Sequence, residues 1–163
     1  MIDFTTWAVY TYKKEEEARM KISSRFTIAL HIFVCIYAFG KEDKITSEYL
    51  AGSIGVNTVI IRRVLGQLKA KGLVNVARGT GGAEIAKPLE DITLWDVFEA
   101  VEILGPEGMF NFQDNPNPDC PAGKNIHKIL DGHLHSVQVA MEERLGQITL
   151  RDVMNDTDKY IHD

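Results

Sequence analysis

Residues 46–88 read TSEYLAGSIGVNTVIIRRVLGQLKAKGLVNVARGTGGAEIAKP, and this stretch decides the fold. Thr46 or Ser47 is placed to cap a short helix to about Ile54, because a short hydroxylated side chain satisfies a free N–H of the first turn. Gly55 makes the turn. Asn57 starts a second helix that runs to about Lys71, with Gly72 as its C-terminal stop. Leu73–Ala77 and Ala83–Ala86 read as short strands around a tip, Arg78-Gly79-Thr80-Gly81-Gly82. A helix, a tight turn, a basic helix and a glycine-rich hairpin in this order form a winged helix-turn-helix. The expected fold class is mainly α with a small β wing.

Two helices that cross closely need a small residue at the crossing and a turn residue free to take positive φ. Ala51 and Gly55 supply these. Ile61 and Val64 pack the second helix on the first, and Leu65 and Leu68 continue the buried stripe. Asn57, Thr58, Ile60 and Arg62 are left facing outward at the start of the second helix, with Arg63 alongside. The N-terminal turns of a recognition helix are what reach base edges. Asn57 is suited to adenine and Arg62 to guanine through a paired hydrogen bond, whereas Thr58 and the helix N-terminus are suited to a phosphate. Ile60 reads instead as a partly buried packing residue. In the wing, Gly79, Gly81 and Gly82 bring backbone close to a duplex, and Arg78 supplies charge for the minor groove or a phosphate. Lys69, Lys71 and Lys87 read as solvated positions.

Charge supports this assignment although the chain's net charge is −5. Residues 20–88 hold 10 Lys+Arg against 4 Asp+Glu, and residues 89–163 hold 5 against 15. A basic half joined to an acidic half fits one half meeting a polyanion. No apolar run is long enough to span a membrane, and two cysteines, Cys35 and Cys120, make no disulfide framework. With no signal peptide visible, the expected location is the cytoplasm. No nucleophile–base pair, metal-ligand spacing or phosphate loop is present, so no enzyme is expected.

Residues 1–19 differ from the rest of the chain, with no clear period and a charged run from Lys13 to Glu17. They are expected to be a leader or non-native extension, with Met20 the native start. The DNA-binding unit then covers residues 20–88. It opens with a helix from Ser23 or Ser24 to about Phe39, buried through Phe26, Ala29, Leu30, Phe33, Ile36 and Tyr37, with His31 interior. Residues 89–123 connect: Thr93 caps a helix from Leu94 to about Leu104 with Leu94, Val97, Phe98, Val101 and Ile103 as core, and a loop runs from Gly105 to Gly123. Residues 124–163 hold a long helix from about Lys124 to Leu145 and a short one from about Leu150 to Met154. No internal repeats are expected. Leu130, Leu134, Val137, Met141, Leu145 and Ile148 step by three or four residues along the long helix. That near-heptad stripe suits a partner helix, and the expected partner is a second copy of this chain.

From Met20 to about Glu102 the chain resembles the Rrf-type winged-helix regulators, the family of IscR, NsrR and CymR. The resemblance rests on Ser24-Arg25-Phe26, Leu65-x-x-Leu68-x-x-x-Gly72-Leu73-Val74, the wing Arg78-Gly79-x-Gly81-Gly82, and Ile92-Thr93-Leu94-x-Asp96-Val97. It implies a homodimer that places two recognition helices in adjacent major grooves of a roughly palindromic double-stranded DNA site. A transcriptional repressor is the expected function. Cluster-binding members carry three cysteines in the loop before the long helix, and this chain has only Cys120 there, so no iron–sulfur cluster and no metal is expected. His127, His133 and His135 do not replace the missing thiolates. Cys120 near the N-terminus of the long helix is a candidate redox thiol, because the helix dipole favours a thiolate. The other candidate signals are a small molecule in a pocket between the domains, a protein effector, or no effector at all. The alternative from another class is a winged-helix module for protein–protein contact that has lost DNA binding.

Overall fold

The structure, a computed structural model, describes residues 23–78, 81–102, 104, 108–110, 112 and 115–161. The expected leader at residues 1–19, Gly79 at the wing tip and Ile103 lie outside the described residues. Ser23 caps α1 (Ser24–Phe39) by accepting from the Arg25 N–H at 3.2 Å. Ile28, Ala29, Ile32, Phe33, Cys35 and Ile36 are buried, a wider face than the expected stripe, while Phe26, Leu30 and Tyr37 are only half-buried. The face is wide because other helices and the wing enclose α1 from several sides. His31 is exposed rather than interior. It shares a strip with Ser24 and Thr27, two turns and one turn earlier, which points away from Ala29 and Phe33.

Thr46 caps α2 (Ser47–Ile54) through the Tyr49 N–H, as a threonine in this position should. Gly55 then takes φ 74°, and its N–H and that of Val56 both return to the Ala51 carbonyl, at 3.0 and 3.3 Å. This positive φ, cheap only for glycine, is what lets α3 (Thr58–Ala70) double back on α2. α3 buries Ile61, Val64, Leu65 and Leu68, all four expected. β1 (Val74–Val76) and β2 (Ala83–Ile85) pair antiparallel with Asn75 opposite Glu84. Hydrogen bonds from Ala77 to Gly82 and from Ala86 to Leu73 extend this ladder to the expected hairpin ends. The Ala83 N–H donates to the Ile45 carbonyl at 2.9 Å, which fixes the wing to the segment before α2.

After a 3-10 turn at Leu89–Asp91 comes α4 (Leu94–Val101), shorter than the expected helix to Leu104. Glu102 leaves helical geometry at φ −94° and ψ 128°, and its carboxylate accepts from the Ser23 hydroxyl at 2.6 Å. α5 (Pro121–Gly146) starts earlier than the expected Lys124, because Pro121 sits at the first helical position, where a missing N–H costs nothing. The loop expected to last until Gly123 therefore ends at Cys120, the N-cap. α6 (Leu150–Ile161) extends well beyond the expected Met154. Its polar run hides the spacing Leu150, Met154, Thr157, whose side chains are buried. α6 packs on α1, and Tyr37 donates to Asp158 at 3.0 Å.

A short internal repeat is present, contrary to expectation. Ile92-Thr93-Leu94-Trp95-Asp96-Val97 recurs as Ile148-Thr149-Leu150-Arg151-Asp152-Val153. In both copies the threonine N–H and hydroxyl bond the aspartate Oδ2, at 2.8 and 2.7 Å in the first and 2.8 and 2.8 Å in the second. Each copy thus starts a helix with reciprocal capping. The two copies also pair as an antiparallel bridge, Leu94 N–H to Ile148 O and Leu150 N–H to Ile92 O, both 2.8 Å. Leu150 and Met154 join the same buried cluster as Ile32, Phe33, Ile61 and Leu68.

Gly82 has φ 83°, and a Cβ there would stand 3.1 Å from the Ile45 nitrogen. Gly82→Ala is expected to lower the unfolding free energy by about 1–2 kcal/mol, the cost of left-handed backbone in a residue with a Cβ. Urea denaturation measures it, and an unchanged midpoint would show that the wing tolerates the strain.

Candidate nucleic-acid interface

The start of α3 is organised by Asn57. Its Oδ1 accepts from the Val59 N–H at 2.7 Å, so the side chain suited to reading adenine also caps the helix. Among the described residues its amide NH2 has no hydrogen-bond partner. Thr58, beside it, is half-buried. Four buried side chains at 61, 64, 65 and 68 turn the opposite face of α3 to solvent. That face carries Val59, Arg62, Arg63 and Gly66, all exposed. Ile60 is 41% exposed, which corrects its expected place among the packing residues. It stands beside the buried Ile61, a step of about 100° round the helix, which carries it out of the core.

Arg62 is held by Glu48 of α2, Nη2 to Oε1 at 2.8 Å, with both side chains largely exposed. The backbone N–H at the start of α2, followed by the Arg62 guanidinium, holds the Glu48 carboxyl below the usual carboxylate range. Glu48 is therefore an anion at neutral pH. It pairs with Arg62 in the free protein and puts a negative charge beside that arginine. The sequence pattern does not single out Glu48: it lies 14 residues from Arg62, and only the doubling back at Gly55 brings them together.

The wing stands beside this face. Lys69 of α3 donates to the Val76 carbonyl at 3.2 Å, joining recognition helix to wing. A shallow cleft of about 140 Å³ lies between them, lined by Glu48, Arg62, Leu65, Ala77 and Gly82 among others. Arg78 and Gly81 are exposed at the tip. Lys71 is paired with Glu99 at 3.0 Å, consistent with a solvated position outside the reading face. The structure thus brings Asn57, Thr58, Arg62 and Arg63 onto the start of one helix, and stands the wing bearing Arg78, Gly81 and Gly82 against it.

Residues 22–156 match the Rrf2 family, described as an iron-dependent transcriptional regulator. The chain belongs to the Rrf2 family. YwnA of Bacillus subtilis (strain 168), which carries the name of an HTH-type transcriptional regulator, is 40% identical over 134 residues, covering 82% of this chain and 97% of YwnA. The solved T. potens IscR is 20% identical, with a TM-score of 0.63 over 86% of this chain and 90% of its own. Staphylococcus aureus CymR, also 20% identical, has a TM-score of 0.57 over 80% of this chain and 95% of its own. At that identity the two structures speak for the fold. As an Rrf2 protein the chain is a transcriptional regulator with a DNA-binding winged helix.

The iron in the family description calls for donors. Iron–sulfur clusters take three or four thiolates, sometimes with histidine. This chain holds two cysteines in all. Cys35 is buried in α1 with its sulfur 3.4 Å from the Ser53 hydroxyl. Cys120 is exposed at the start of α5. Among the described residues, no three His, Cys, Asp or Glu side chains gather into a metal site. His133 and His135 are exposed, and His127 pairs with Asp131 at 3.2 Å while its ring lies against Phe112. The donor set does not fit a cysteine-ligated cluster. Among the described residues no helix is long and apolar enough to cross a membrane.

Glu48→Gln removes the anion paired with Arg62. It is expected to tighten binding to random duplex DNA several-fold at fixed salt, as measured by fluorescence anisotropy. Unchanged affinity would place Glu48 outside the interface.

Proposed function

We propose that the protein is a homodimeric, sequence-specific transcriptional repressor that binds a roughly palindromic operator in the cytoplasm. The carrying observation is the outward face of α3, where Arg62 and Arg63 follow a capped helix N-terminus beside a wing tipped by Arg78. In this reading Asn57, Arg62 and Arg63 meet base edges, Thr58 and the α3 N-terminus meet a phosphate, and Arg78 with Gly79, Gly81 and Gly82 meets backbone or minor groove. A module for protein–protein contact alone would have no use for three exposed arginines here.

The dimer reading is supported by α5. It is 26 residues long and none of its residues is buried. Val137 is 55% exposed, and Leu130, Leu134, Met141 and Leu145 are half-covered by their own chain. An apolar stripe on a helix about 39 Å long is suited to a second copy of itself. The regulator works without a resident iron–sulfur cluster, as the donor set suggests.

A second reading, of the signal, is favoured by one observation. Cys120 is the exposed N-cap of α5, and the backbone N–H groups of Gly123 and then Ala122 pull its thiol below the ordinary value. Lower pKa means more thiolate near neutral pH and faster oxidation. A redox-sensing role predicts that oxidant changes the DNA affinity of the wild type and leaves Cys120→Ser unaffected. The same response in both proteins would exclude it, leaving a small-molecule effector, a protein effector or none.

DNA binding itself is tested with salt. The logarithm of the binding constant should fall linearly with the logarithm of salt concentration, by about 0.9 per phosphate neutralised. Arg78→Ala should weaken all duplexes alike and reduce that slope. Arg62→Ala should also relax preference at particular base pairs. A flat salt response would favour the protein–protein module.

A further inference from the structure

The recognition helix bears two features that its own fold does not explain. The first is an uncovered apolar pair. Val59 is 66% exposed and Ile60 41% exposed, although Ile61, Val64, Leu65 and Leu68 of the same helix are buried. The second is Gly66. Glycine inside a helix destabilises it relative to alanine. Nothing lies within 4 Å of where a Gly66 Cβ would stand, and its φ is not positive. Among the described residues, neither packing nor backbone geometry calls for a glycine.

The two features share one row. Arg62 and Arg63 follow Val59 by three and four residues, and Gly66 follows it by seven, so all lie along the outward ridge of α3. A solvent-facing valine one turn before two arginines is poorly placed for a protein core. It is well placed for a surface that is anionic at its edges and apolar at one point. The major groove of DNA offers that combination: phosphates along the rims, and the 5-methyl group of thymine projecting from the floor.

We propose that the row Val59, Arg63, Gly66 is the part of α3 that seats deepest in the major groove, with Val59 against a thymine 5-methyl group and Gly66 against the groove wall. Ile60, at the edge of the same turn, meets a neighbouring thymine or sugar. Cytosine, with no methyl and an N–H donor at the groove edge, would leave that donor unpaired against the valine. Each half-site therefore holds at least one thymine that no hydrogen bond reads. The inference rests on the DNA-binding reading and adds to it a base and the residue that selects it.

The test uses the full chain and a duplex selected from a random pool. Each thymine is replaced in turn by deoxyuridine, which keeps the base pair and removes the methyl alone. At one position per half-site the wild type should bind about four-fold more weakly, the ratio expected for one buried methyl group. Val59→Ala should bind both duplexes equally. Gly66→Ala should raise the thermal midpoint of the free protein yet weaken binding to the selected duplex. A uracil scan with no sensitive position, or Val59→Ala retaining the full methyl preference, would overturn the thymine contact. Gly66→Ala binding as tightly as the wild type would overturn the close seating. Random duplex on the same protein separates this from the broader reading. Steep salt dependence without a methyl effect sinks the thymine contact alone, and no salt-dependent binding sinks both.

Discussion

The burial of α1 is the constraint on which the other elements depend. α1 contacts α2, α3, α4, α6 and β2, and its Ile32 and Phe33 are fully buried. Each such side chain stabilises the fold by about 1.5–3 kcal/mol relative to leaving it in water. The ion pairs at the surface, Arg62 with Glu48, Lys71 with Glu99 and Arg151 with Glu90, are exposed and screened, and add little. The angle at which α3 presents its outward face is therefore set by packing. Polar contacts at that face are free to be exchanged for contacts with DNA. Glu48 and Arg62 illustrate this: their pairing organises the free surface without holding the fold together.

The same core reaches the C-terminal end of the chain. The bridge between Thr93 and Thr149 ties the end of α5 to the start of α4, and α6 then returns to α1. α5 is thus anchored at its far end by a structural repeat, while none of its own residues is fully buried. This arrangement suits a helix that contacts a second copy without disturbing the recognition unit. Its opposite end begins at Cys120, where helix N–H groups favour a thiolate. A chemical change there would act on the proposed dimer helix directly, since the N-cap helps to determine how the first turn of α5 is formed.

The helix-turn-helix and wing were legible in the sequence because their signals are local. Thr46, Gly55, Asn57 and Gly72 mark boundaries through caps and positive φ, and the period of Ile61, Val64, Leu65 and Leu68 is clean. α1 is less legible, since a helix enclosed from several sides has no single stripe to separate the exposed His31 from the core. The polar run on the outer face of α6 hides the length of that helix. The repeat at 92–97 and 148–153 stands in plain view in the sequence, but only the pairing of its copies gives it meaning. At the interface, the arginines were visible as charge. Glu48 was not, because its partner is remote in sequence, and neither was Val59, because an apolar residue beside a core stripe looks like part of it.

The central claim is that two copies of this recognition unit read DNA together. Hydroxyl-radical footprinting of the protein on a duplex selected from a random pool tests it most directly. Two protected patches related by a dyad, with centres about one helical turn (roughly 34–36 Å) apart or a multiple of it, are the predicted result. A single protected patch without dyad symmetry, or uniform protection along the duplex, would contradict it.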